Sequence, residues 1–136
     1  MITRRVLLET AGLLLLAQAA SAQNPPGRNR VAFQHDLPKV STDGWSVTAV
    51  EVNYGPGESS AAHHHPGITI AYVLEGEIRS KVGDDPEKVY RPGEMFLETP
   101  NQLHAVSGNA SATRPAKLLA ILLAEKGVPL TTPAKN

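Results

Sequence analysis

Gly57-Glu58-Ser59-Ser60-Ala61-Ala62-His63-His64-His65-Pro66-Gly67-Ile68-Thr69-Ile70-Ala71-Tyr72-Val73-Leu74-Glu75-Gly76 is the stretch on which the fold turns. Three consecutive histidines stand in it between a glycine-rich turn and an apolar run that closes on a second turn at Glu75-Gly76. Alternate residues of an extended strand point to the same side, so His63 and His65 can offer two imidazoles to one ion while His64 faces away. Two imidazoles need a further partner. His104 is the only later histidine, in Pro100-Asn101-Gln102-Leu103-His104, and a strand leaving that turn-rich segment can carry it back to the first two.

Outward from the histidines, short β-branched segments recur: Trp45 to Tyr54, Ile68 to Leu74, Ile78 to Val82, Met95 to Leu97 and Lys117 to Leu123. Turns at Gly55-Pro56-Gly57, Gly83-Asp84-Asp85-Pro86 and Arg91-Pro92-Gly93 separate them, the spacing of an antiparallel sandwich or barrel. Val50, Val52 and Tyr54 alternate with Glu51 and Asn53, which predicts one dry face on that strand. Leu118 to Leu123 is apolar at every position and reads as a strand covered on both faces. Ser107 to Pro115 reads as a loop by composition.

The chain has 136 residues, and the first 22 have the plan of an export signal: Arg4 and Arg5, an apolar core ending at Ala17, then Ala20-Ser21-Ala22. Thr3-Arg4-Arg5-Val6-Leu7-Leu8 also resembles a twin-arginine signal, so either the general secretory or the twin-arginine route is expected to deliver the protein to the periplasm or beyond. The expected organisation is a signal over 1–22, a lead-in over 23–44, a barrel domain over 45–124 and a tail over 125–136. The chain beyond the signal suffices for one domain with a core and is too short for two. Without Arg4, Arg5 and Glu9 the chain holds 11 basic and 12 acidic residues, a balance that argues against a nucleic-acid partner. There is no cysteine, so histidines and carboxylates must carry any transition-metal chemistry.

On these residues the chain resembles the cupin family. Gly57, His63, His65 and Gly76 fall where the first cupin motif places its glycine, its H-x-H pair and its closing glycine; Tyr72-Val73-Leu74-Glu75-Gly76-Glu77 and Arg91-Pro92-Gly93-Glu94 add to the match. Pro100 to His104, with Asn109 beyond, is a looser version of the second motif: Asn101 stands in a glycine slot, and Pro100 and Asn109 are each displaced by one residue. The resemblance implies an all-β fold, a single small double-stranded β-helix or jelly-roll barrel, with a metal in its mouth. The motif's glutamate is missing, its slot being taken by Thr69, a poor ligand for a divalent ion. The site this implies is three neutral imidazoles, His63, His65 and His104, around a divalent transition metal, with iron, manganese, nickel and zinc all compatible.

Glu98, just before the turn that leads to His104, is expected either to reach the cavity as a base or replacement ligand or to stay solvated on the rim. Gln102 is expected to bond a bound water or substrate, or likewise to remain at the rim. Trp45, Tyr72, Met95 and Phe96 read as core or cavity wall. The expected function is an exported single-domain cupin acting on a small molecule, in its sharpest form a dioxygenase of diketone-like or phenolic-acid-like substrates. The alternative is a non-catalytic module that binds a small ligand or the metal. A homodimer is expected, with no nucleic acid and no membrane as partner of the mature form.

Overall fold

Tyr54 to Gly76 folds as its glycines and prolines dictate: short strands, sharp turns and no room for a helix. The computed structural model describes residues 30–135, so the expected export signal and the first part of the expected lead-in lie outside the described residues. From Val31 onward the chain forms one compact unit. Residues 30–44 carry no strand. Ten strands come after them: β1 (Trp45–Tyr54), β2 (Ser59–Ser60), β3 (His63–His64), β4 (Ile68–Glu75), β5 (Ile78–Val82), β6 (Lys88–Tyr90), β7 (Met95–Glu98), β8 (Leu103–Asn109), β9 (Ala116–Glu125) and β10 (Thr132–Pro133).

Every pairing is antiparallel, in two sheets: β1-β9-β4-β7, and β10-β3-β8-β5-β6 with β2 also on β8. This is the double-stranded β-helix expected from the motif. β9 is the spine of the first sheet, paired along its whole length with β1 (Trp45↔Glu125 to Tyr54↔Ala116) and on its other side with β4. Its Leu118, Ala120, Leu122 and Ala124 are buried, whereas Leu119, Ile121 and Leu123 are half-buried. The expectation of full cover on both faces is therefore corrected: one face packs on the opposing sheet, and the other is only half-buried along β9. Val73 and Ile78, fully buried where the sheets meet, each contribute about 1.5–3 kcal/mol by leaving water.

Two further expectations change. Ser107, Gly108 and Asn109 are strand, not loop, because the buried Asn109 amide ties β8 to its surroundings: Nδ2 donates to the carbonyls of Gly55 (3.0 Å) and Arg114 (2.6 Å), and Oδ1 accepts from Ser111 N (2.8 Å). The barrel also runs past residue 124. β10 pairs with β3, Thr132↔His64 and Pro133↔His63, so the tail is part of the sheet that bears the histidines. Gly67 explains the glycine after Pro66: a Cβ there would run into the Leu123 carbonyl, so only glycine lets the chain pass from β3 to β4 against β9.

Candidate metal centre

His63 and His104 are cross-strand partners on β3 and β8, which sets their rings side by side with centroids 4.9 Å apart. His65, just beyond β3, brings its ring to 4.9 Å from that of His63. The three imidazoles converge as strand parity requires, and His64 turns elsewhere, its Nδ1 donating to the Asn101 carbonyl at 3.0 Å. Asn101 occupies the left-handed region (φ 61°) and returns its own N–H to the His65 carbonyl at 2.7 Å. The displaced second motif thus still clamps the histidine loop.

A fourth candidate ligand joins them. Thr69 on β4 pairs directly with Glu98 on β7, so the two side chains share one face at the same height of the sheet. The carboxylate that Thr69 cannot supply is delivered from the neighbouring strand: Glu98, 2 % exposed, lies with Oε2 3.0 Å from His104 Nδ1 and 3.7 Å from His65 Nε2. One donor atom from each of His63, His65, Glu98 and His104 fits within a 4.8 Å span. The three-imidazole arrangement expected from the sequence is corrected to three imidazoles and one carboxylate, and Glu98 is buried in the cluster rather than solvated on the rim.

The orientation of the rings suits ligation. His63 Nδ1 donates to the Ala61 carbonyl (2.7 Å) and His65 Nδ1 to the Leu130 carbonyl (2.7 Å), which leaves each Nε2 with a lone pair. His104 Nε2 lies 2.8 Å from Ser80 Oγ; donation there leaves Nδ1 free on the Glu98 side. Burial lowers the His63 pKa below its ordinary value, reinforced by the neighbouring His104 and His65 and opposed by the Ala61 hydrogen bond and by Glu98. A neutral imidazole is the form that binds metal.

Three buried polar atoms make no well-aligned hydrogen bond among the described residues: Thr69 Oγ1, and Glu98 Oε2 and His104 Nδ1, which lie 3.0 Å apart without the alignment of one. Leaving such atoms unpaired costs about 1–3 kcal/mol each, more when charged. A cation between Glu98 Oε2 and His104 Nδ1 satisfies both, and three nitrogen donors with one oxygen donor suit iron(II), manganese, nickel or zinc. The residues present therefore fit a divalent metal.

The cluster opens on a cavity of about 180 Å³ whose walls include Val50, Val52, Phe96, Leu118, Ala120 and Leu122, with no lysine or arginine among the described residues that line it. Thr69, Tyr54, Ser107, Leu130 and Thr131 complete it beside the ligands. Gln102 is not in this wall: its Oε1 accepts from Thr99 N (3.2 Å) and Thr99 Oγ1 (3.1 Å), so it caps its own turn. Leu130, Ser80 and the inward hydroxyls of Tyr54 and Ser107 were missed from the sequence. Tyr54 had a signal, its parity with Val50 and Val52; Leu130 had none.

A family model described as "Cupin domain" matches residues 50–122. No curated protein matches in sequence. Among solved structures, a DMSP lyase from Ruegeria pomeroyi DSS-3 superposes with a TM-score of 0.58 at 20% identity, covering 65% of this chain and 43% of that one. An oxalate decarboxylase from Lactobacillus farciminis gives 0.54 at 16% identity, covering 64% and 26%. A cupin-like protein from Thermotoga maritima gives 0.55 at 19% identity, covering 74% and 86%. This chain thus spans less than half the length of the lyase and about a quarter of the decarboxylase.

Proposed function

Since the chain belongs to the cupin family, we propose that it is a metal-dependent enzyme acting on a small carbonyl compound that can lose a proton to form an enolate, in an exported setting. The observation that carries this is the buried Glu98 Oε2 and His104 Nδ1, 3.0 Å apart without a well-aligned hydrogen bond, within a set of four candidate ligand residues. A divalent metal held by His63, His65, Glu98 and His104 supplies Lewis-acid polarisation of a carbonyl oxygen. The chain's own residues do the rest. Thr69 Oγ1, buried and unpaired beside the cluster, offers a hydrogen bond to the ligand's reacting end. The apolar walls exclude water from it. With no lysine or arginine among the described residues of the lining, the cavity favours a neutral or singly charged compound over a polyanion.

Its largely apolar walls suit a compound whose body is apolar beside its reacting end, as in a diketone. Two of the structural neighbours are by name a lyase and a decarboxylase of small organic molecules, which supports an enzymatic use of such a barrel. Oxygen-dependent cleavage of a small diketone is the reaction we put forward. Oxygen uptake by the iron(II)-loaded protein with a graded series of diketones tests it: uptake with at least one member, absent from the metal-free protein, is expected. Stoichiometric metal with no turnover of any carbonyl compound would instead identify a binding module.

A further inference from the structure

The cavity has a second polar end. Tyr54 and Ser107 line it along with the cluster, both nearly inaccessible to solvent. The Tyr54 hydroxyl lies 2.9 Å from Ser107 Oγ and 2.7 Å from Ser60 Oγ, and Ser60 is exposed. Three hydroxyls carry three protons, and their two mutual bonds use two. When Ser60 donates to Tyr54 and Tyr54 to Ser107, the unspent proton sits on Ser107, inside the cavity. When the chain of bonds runs the other way, that proton is spent at Ser60 on water, and Ser107 keeps lone pairs for an incoming donor. The same heavy atoms therefore receive either a hydroxyl or a carbonyl.

Ser107 lies three residues beyond His104 along β8, at most about 10 Å at 3.3 Å per residue. Between the two ends the walls are Val50, Val52, Leu118 and Ala120, and no charged side chain lines that stretch. We propose that the site takes short-chain compounds polar at both ends: a carboxylate or carbonyl at the metal cluster and a hydroxyl or carbonyl at the Tyr54–Ser107 pair, with three or so carbons between. This rests on the metal reading above and adds its substrate class. Tyr54 and Ser107 are then residues that determine specificity, selecting the far end of the molecule while the cluster holds the near end.

Two probes of equal size and shape test it, 4-hydroxybutanoate and pentanoate, which differ in a terminal hydroxyl or methyl. Their binding to the full, cobalt-loaded chain is read from the visible spectrum of the cobalt. The hydroxy acid is expected to bind roughly five- to a hundredfold more tightly, the range for pairing a buried polar group that otherwise stays unpaired. Tyr54→Phe, which keeps the ring, and Ser107→Ala should each bring that preference close to unity. Equal binding of both probes to the wild-type chain, or an equal loss for both in the variants, overturns the proposal and leaves the metal reading intact. Failure of the chain to retain cobalt overturns both.

Discussion

Glu98 is the residue on which the site depends, and it shows what a linear motif can hide. Spacing identified the histidines, because parity along one strand is local and the remote His104 was alone in its part of the chain. The carboxylate was harder to place, since its position depends on the β4–β7 register, which puts Glu98 opposite Thr69 across 29 positions of sequence. Glu98→Thr should weaken metal binding by at least the ten- to a hundredfold typical of losing even an outer-sphere partner. Adding Thr69→Glu to that variant should restore much of it, because the carboxylate returns to the same face from the other strand; chelator competition measures both. An equal deficit in single and double variants would show that the two positions are not equivalent. His63 contributes a pH dependence. Its folded pKa is depressed below about 6.5, so its contribution to stability is full above that value. Below it the unfolded chain binds a proton that the folded chain resists, and stability falls with pH. Denaturant midpoints of the metal-free protein one unit above and one unit below should differ in that sense, and by less in His63→Asn.

At the scale of elements, the strands rich in β-branched residues were legible to within a residue or two, because pleat alternation and turn residues are local signals. β10 was not: two residues in a proline-flanked tail carry no periodicity, and only tertiary pairing makes them a strand. Yet that tail orients a ligand. The Leu130 carbonyl accepts the His65 Nδ1 proton, and the Leu130 side chain packs against the core cluster. Removing Gly127 to Asn136 should leave the barrel folded, since the other core residues precede the cut, while lowering metal affinity roughly ten- to a hundredfold. Circular dichroism and metal titration of the truncated chain check the two halves of that expectation; an unchanged affinity would show that His65 needs no such support.

Over the whole molecule, what the sequence conveyed least was which surfaces are left uncovered. β1 is an edge strand of ten residues, paired among the described residues only with β9, and its Val47 is 68% exposed. Val47 shares the outer face with Leu123, and the neighbouring Leu119 and Ile121 on that face are only half-buried. A long edge beside an apolar face invites pairing with a second chain. A dimer is expected by light scattering, and Val47→Lys, which places a charge on that face, should shift it to monomer without loss of metal. A wild-type monomer at all concentrations would remove the dimer from the account.

The metal centre itself is tested most directly by elemental analysis of the chain as purified and after exposure to iron, manganese, nickel and zinc in turn. One divalent transition-metal ion per chain, lost on His104→Ala and on Glu98→Ala with the barrel still folded, is the predicted result. A chain that takes up no metal under any of these conditions, or holds as much in the two variants as in the wild type, would contradict it.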